Sequence, residues 1–223
     1  DFSMLFFNPD GSGGMMCGNG GRSIVKFASD KGVIYDSCSF IAPDGLHFAT
    51  INEDIVSLKM VNPTLLQRFE DGYYINTGTS HFVVFEEDLN KINIIEKGRS
   101  IRYDERFSHY NGCNVNFVEE ISLNNIRIRT YERGVEDETL ACGTGICAAA
   151  LTYSIEKGLK NGKRTINISA KGGDLQVEFD KKSDNSLSEV YLIGTANSVF
   201  EGEIEISKKK FDKSKKKNVN LQS

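Results

Sequence analysis

Two turns of nearly the same sequence, Cys17-Gly18-Asn19-Gly20 and Cys142-Gly143-Thr144-Gly145, lie 125 positions apart. Each opens a run with helical spacing. Residues 22–28 form a short amphipathic stretch expected to end near Gly32, and residues 146–157 form another expected to end at Gly158. The first amides of a helix have no internal partner, and the helix dipole concentrates positive character there, so a thiolate or a bound carboxylate is favoured at that end. Glycine lets a charged ligand approach the backbone closely. A single such cysteine is most simply a small buried hydrophobe. Repetition of the whole turn weakens that explanation and suggests an internal duplication with one cysteine helix per half.

Between and after these runs lie short β-rich or alternating segments bounded by Gly, Asn and Asp. They are at 48–51, 55–60, 73–76, 81–85, 114–119, 126–131, 165–169, 175–179, 190–193 and 198–206. Many strands with two main helices exclude a doubly wound parallel sheet, which needs a helix between most strands. The expected class is α+β: two pseudo-symmetric halves, each a curved, mostly antiparallel sheet or barrel wrapped around a central helix. One half would comprise residues 1–71 with 196–207 and the other 72–195, with the link near Phe69-Glu70-Asp71-Gly72. Residues 208–223 would be a basic, flexible tail.

With 39% hydrophobic and 26% charged residues, the 223-residue chain can bury a core of ordinary size. No run approaches the roughly 20 apolar residues of a membrane span. The net charge of −4 hides an acidic body, because residues 208–217 hold seven lysines against Asp212. That body argues against nucleic-acid binding. Five cysteines, an odd number without the dense spacing of a disulfide scaffold, favour a reducing compartment, the cytoplasm by default.

Two thiols of this kind are compatible with several chemistries. A zinc site would need four ligands at short spacing, whereas Cys142 and Cys147 are five apart and His47, His81 and His109 are scattered, so no metal is expected. A disulfide between Cys17 and Cys142 would conflict with a reducing compartment. A cysteine nucleophile could use His81 as base but leaves the second copy unexplained. One thiolate removing a proton from carbon while the opposite thiol delivers one to the other face uses both copies and inverts a stereocentre. It needs no cofactor if helix N-termini hold the carboxylate beside the reacting carbon.

The surrounding residues resemble the diaminopimelate epimerase family. The match is carried by Asn8-Pro9-Asp10-Gly11-Ser12 leading to Met16-Cys17-Gly18-Asn19-Gly20-Gly21-Arg22, by Tyr131-Glu132-Arg133-Gly134-Val135 leading to Glu138-Thr139-Leu140-Ala141-Cys142-Gly143-Thr144-Gly145, and by Lys171-Gly172-Gly173-Asp174-Leu175. The resemblance implies interconversion of LL- and meso-diaminopimelate without pyridoxal phosphate, on the route to lysine and cell-wall peptide. By it, Cys17 and Cys142 are the two bases, and the amides of Gly18-Asn19 and Gly143-Thr144 hold the reacting carboxylate. Asn8, Asn114, Glu132 and Arg133 hold the distal amino-acid end. His81 and Glu132 tune the thiols. Thr79 stands where the family has a substrate-binding Asn, the 135–139 segment is one residue longer than the commonest form, and Thr195 replaces a frequent Pro.

Family members begin some tens of residues earlier, so the chain, which starts at Asp1, is expected to be an amino-terminally truncated piece with exposed apolar surface on its first half. The alternatives left open are a proline or hydroxyproline racemase of the same fold and a catalytically inert ligand-binding fragment. The expected partner is a small-molecule substrate, with no nucleic acid and no membrane, and a homodimer is left open.

Overall fold

The structure is a computed structural model that describes residues 1–7, 11–14, 16–203 and 205. After β1 (Phe2–Ser3), helix α1 (Gly18–Asp30) starts at the first cysteine turn. The hairpin strands β2 (Ser37–Ala42) and β3 (Gly45–Asn52) and the strand β4 (Ile55–Lys59) follow. Next come β5 (Thr64–Phe69), β6 (Gly72–Asn76), β7 (Ser80–Phe85), helix α2 (Ile94–Arg102), β8 (Asn114–Ser122), β9 (Asn125–Glu132) and the short β10 (Asp137–Thr139). The second cysteine turn opens α3 (Gly143–Glu156), and β11 (Gly162–Ala170), β12 (Gly173–Lys181) and β13 (Leu187–Thr195) complete the described order.

These strands form one continuous mixed sheet in the order β1-β2-β3-β4-β13-β12-β11-β9-β8-β7-β6-β5, with β10 on β9. Only β1–β2, β7–β8 and β9–β11 pair in parallel. The sheet curls around α3, which packs against β6 to β9 and β11 to β13. All residues from Gly143 to Ser154 are buried, which is why this helix is apolar on every side. Each fully buried Leu or Ile there contributes on the order of 1.5–3 kcal/mol through removal from water. The other cysteine helix, α1, rests on β3, β4 and β13 and buries only one stripe: Gly18, Gly21, Arg22, Val25 and Ala28. Both helices stop where expected, at glycines with positive φ, Gly32 (69°) and Gly158 (57°).

A second core lies on the outer face of β6 to β9. There Tyr74, Phe82, Phe107, Val115, Phe117 and Tyr131 pack under Ile94 of α2. Helix α2 lies outside the two expected helices, and its buried face is Ile94, Gly98 and Arg102. A Cβ at Gly98 would stand 2.5 Å from Tyr131 Cβ, so the close approach of α2 to the sheet requires glycine. A local signal does exist: the Asn93 side chain accepts from the Glu96 amide at 3.2 Å and donates to its carboxylate at 3.1 Å.

Phe69-Glu70-Asp71-Gly72, where the link is expected, forms the tight turn of the β5–β6 hairpin, with Phe69 paired to Gly72. Two other expectations meet a different outcome. Residues 198–203 form no strand, although Val199 and Phe200 have strand-like character. The Ala196 amide donates to the Asp54 carbonyl at 2.9 Å, beyond it no strand pairs with 198–203 among the described residues, and both side chains are exposed. β2 and β5 exist where no strand was expected, because their partners β3 and β6 supply the hydrogen bonds. Asn8, residue 206 and the lysine-rich segment from 208 onward lie outside the described residues. Among the described residues no helix is long and apolar enough to cross a membrane.

Candidate active site

Cys17 and Cys142 are the N-cap residues of α1 and α3, and their backbones nearly superpose: φ −108°, ψ 119° for Cys17 and φ −107°, ψ 111° for Cys142. The glycines that follow press the two helix starts together, since a Cβ at Gly143 would lie 3.0 Å from Gly18 Cα. Asn19 joins the turns across the chain by donating from Nδ2 to the Ala141 carbonyl at 3.0 Å. Two orphaned helix N-termini therefore face one small region, which is where negative charge is best accommodated. Both cysteines are partly exposed, and all five cysteines are free thiols.

The two sulfurs have different neighbours. Cys17 Sγ accepts from the Gly20 amide at 3.5 Å, as a capping side chain does. Cys142 Sγ lies 3.4 Å from the Thr144 hydroxyl. Desolvation, and after it the Glu132 carboxylate, push the Cys142 thiol up to about 11, while the hydrogen bond to Thr144 pulls the other way. Cys142 is thus protonated near neutral pH in this state. Cys147, one turn further along α3, is wholly buried and pushed up to about 12 by the same desolvation, as befits an inert core thiol.

His81 lies at the start of β7, fully buried. Its Nε2 is 2.9 Å from both the Thr79 and the Thr144 hydroxyls, and its Nδ1 is 3.0 Å from Asn116 Nδ2. Desolvation, with the Arg133 charge second, holds its pKa down to about 3, so the imidazole is neutral. Thr79 turns its hydroxyl into this cluster, 3.0 Å from that of Thr144.

Asn114, opposite His81 in the β7–β8 pairing, donates to the Ser80 carbonyl at 3.1 Å and accepts from the Arg133 amide at 2.9 Å. It ties the end of β9 to the start of β8. The Arg133 guanidinium is held by the carbonyls of Tyr110 and Gly112, both at 3.2 Å, and among the described residues it pairs with no carboxylate. Glu132 likewise forms no ion pair among them. A fixed guanidinium next to a free carboxylate matches the two charges of an amino-acid end group.

The structure therefore gathers Cys17, Gly18 and Asn19 against Gly143 and the Ala141–Cys142 segment. It links Thr79, His81 and Thr144 by hydrogen bonds, and sets Asn114, Glu132 and Arg133 at the ends of adjoining strands. Residue patterns alone missed three participants. Arg22, buried in α1, donates to Asn19 Oδ1 at 3.0 Å and to the Gly18 carbonyl at 3.4 Å, and its Nε has no partner among the described residues. Asn116 and Thr130 pair directly across β8 and β9. Strand alternation was the available signal for Asn116, two positions after Asn114 and on the same face. A groove of about 540 Å³ lined by Ile55, Ile121, Leu175 and Ile193 touches none of these residues.

A family model described as diaminopimelate epimerase matches residues 73–199. A diaminopimelate epimerase of Flavobacterium psychrophilum is 43% identical over 203 residues, covering 90% of this chain and 77% of that protein. One from Aquifex aeolicus is 42% identical over 215 residues, covering 92% and 75%. Among solved structures, a Bacillus anthracis phenazine biosynthesis protein of the PhzF family is similar with a TM-score of 0.72 at 17% identity, covering 92% of this chain and 80% of that one. A probable proline racemase from Agrobacterium radiobacter is similar with a TM-score of 0.65 at 13% identity, covering 92% and 72%. At such identities the structural likeness shows the fold alone, the α+β arrangement expected from the sequence.

Proposed function

Because the chain belongs to the diaminopimelate epimerase family, an isomerase family of lysine biosynthesis, we propose that Cys17 and Cys142 are its two proton-transfer groups. The enzyme interconverts LL- and meso-diaminopimelate. In the proposed step one cysteine thiolate takes the α-proton, becoming a thiol and leaving the electron pair on Cα. The opposite thiol then delivers its proton to the other face and becomes the thiolate. The reverse reaction exchanges the two roles.

The observation that supports this reading most is the contact of Gly18 with Gly143, which sets a cysteine-capped helix start on each side of one small region. Charge that develops on the α-carboxylate as the proton leaves would meet the free amides of Gly18, Asn19, Gly143 and Thr144. Arg133 would take the distal carboxylate, and Glu132, Asn114 and Asn8 the distal ammonium. His81 and Thr79 support the Cys142 side. The likeness in fold to a proline racemase raises the cyclic-substrate reading, but the paired charges of Glu132 and Arg133 suit a second amino-acid group, which proline lacks.

The division into residues 1–71 with 196–207 and 72–195 belongs to this proposal, with one cysteine in each half. So do a cytoplasmic location, consistent with five free thiols, and a homodimer, which sedimentation would test. The deciding experiment is incubation of the reduced protein with LL-diaminopimelate in deuterium oxide, following α-deuterium and the meso isomer together by chiral mass spectrometry. Deuterium entering with inversion is expected. Turnover of proline in place of diaminopimelate, or inversion with retention of the α-hydrogen under all conditions, would overturn it.

A further inference from the structure

The two cysteine turns differ at one position, Asn19 against Thr144, and the difference decides what each sulfur can accept. Asn19 directs both ends of its amide away from Cys17, to the Ala141 carbonyl and to Arg22. Thr144 keeps its hydroxyl 3.4 Å from Cys142 Sγ, and behind that hydroxyl stands a line of buried polar groups with a defined direction.

The direction follows from donor and acceptor inventory. The Thr130 hydroxyl donates to Asn116 Oδ1 at 3.0 Å. Asn116 Nδ2 faces His81 Nδ1 at 3.0 Å and the Phe82 carbonyl at 3.5 Å. A carbonyl can only accept, so the amide nitrogen belongs on that side, and His81 Nδ1 must accept from it. The neutral imidazole then carries its hydrogen on Nε2, 2.9 Å from both threonine hydroxyls. With the Thr144 oxygen accepting from Nε2, directly or through Thr79, its own hydrogen can go to Thr79 Oγ1 or to Cys142 Sγ, and a Cys142 thiolate, which can only accept, draws it to the sulfur. Packing holds the line in place: Asn116 is fully buried, and a Cβ at Gly145 would fall 2.4 Å from its Oδ1.

We propose that Thr130, Asn116 and His81 form a one-way donor relay ending in the Thr144 hydroxyl hydrogen at Cys142 Sγ, with Asn116 the positioning residue that fixes the His81 tautomer. The relay gives Cys142 a charge-assisted side-chain hydrogen bond each time it becomes the thiolate, beside that of the Gly145 amide, whereas the hydrogen bond to Cys17 comes from the Gly20 amide. The titratable groups bearing on Cys142 are Glu132 from β9, Cys17 from the turn before α1 and Cys147 from α3, and Arg133 is the charge bearing on His81. The inference rests on Cys142 being one of the two proton-transfer groups.

The test reads the sulfur without substrate. Iodoacetamide labelling of Cys142 and Cys17 is followed by peptide mass spectrometry from pH 7 to 10.5, with Cys17 as the internal comparison. For Thr144→Val we expect about tenfold slower labelling of Cys142 at a given pH with Cys17 unchanged, the size of one charge-assisted hydrogen bond, and restoration in Thr144→Ser. Asn116→Asp accepts where the amide donated, so nitrogen NMR should show the His81 hydrogen moved from Nε2 to Nδ1 and Cys142 labelling slowed. Combining Asn116→Asp with Thr144→Val should slow labelling no further than the slower single variant. A wild-type His81 protonated on Nδ1, Cys142 labelling unchanged in Thr144→Val, or strictly additive effects would each overturn the relay. Epimerisation of diaminopimelate by the same preparations separates the two claims: turnover with no relay signature removes only the inference, and a relay signature without turnover removes the proposed function.

Discussion

Gly18 and Gly143, the first residues of α1 and α3, meet backbone to backbone: a Cβ at Gly18 would stand 3.3 Å from Gly143 Cα, and one at Gly143 would stand 3.0 Å from Gly18 Cα. A side chain at either position would force apart the two helix N-termini, each of which is capped by a cysteine.

Gly143→Ala should therefore push the turns apart. Its Cβ also meets Leu192 Cδ2 at 3.1 Å, so overpacking should cost about 1–3 kcal/mol in urea unfolding, partly offset by the better helix propensity of alanine. The expected functional result is a fall in kcat at least tenfold larger than any change in KM, about 1.4 kcal/mol of barrier. Wild-type kinetics would show that the contact does not position the thiols.

Cys17→Ser and Cys142→Ser should each abolish inversion while diaminopimelate still binds, because an alcohol is far too weak an acid to replace either proton step. Calorimetric binding with chiral mass spectrometry separates the two effects. Full activity in either variant would remove the two-base reading.

Arg133→Lys keeps the charge and loses the planar fork that the Tyr110 and Gly112 carbonyls hold in place. Substrate binding should weaken about tenfold, with the chemical step changed less. An unchanged dissociation constant would remove Arg133 from the distal site.

Glu138 anchors β10, just ahead of Cys142, through Arg129 at 2.6 and 2.7 Å and Lys171 at 2.8 Å. The Arg129 hydrogen bonds hold its carboxyl below the ordinary value of 4.5 in the folded state. A group with a depressed folded pKa stabilises the fold above its unfolded pKa and loses that contribution as pH falls through the folded value. The stability gap between wild type and Glu138→Gln in urea should thus be full at pH 7 and close below pH 4.5. A gap that persists unchanged to pH 3 would contradict the assignment.

What the sequence determined by itself was local. Caps and glycine stops depend on a few neighbouring residues, so both cysteine helices and their ends could be read directly, as could the strands with strong alternation. The site residues that sit in those turns followed from the same short-range rules and from the resemblance. Tertiary structure alone decided which polar groups meet. Asn116 finds Thr130 through the β8–β9 register and His81 through the β7–β8 pairing, and no property of residue 116 in the chain announces either partner. Pairing also made β2 and β5 strands and left residues 198–203 without one. Asn19 and Thr144, interchangeable in a motif, received different duties once Arg22 was buried beside one and His81 beside the other. The reason is physical: helix starts are stabilised by near neighbours, whereas a buried donor must be matched by whatever acceptor the folded register brings to it.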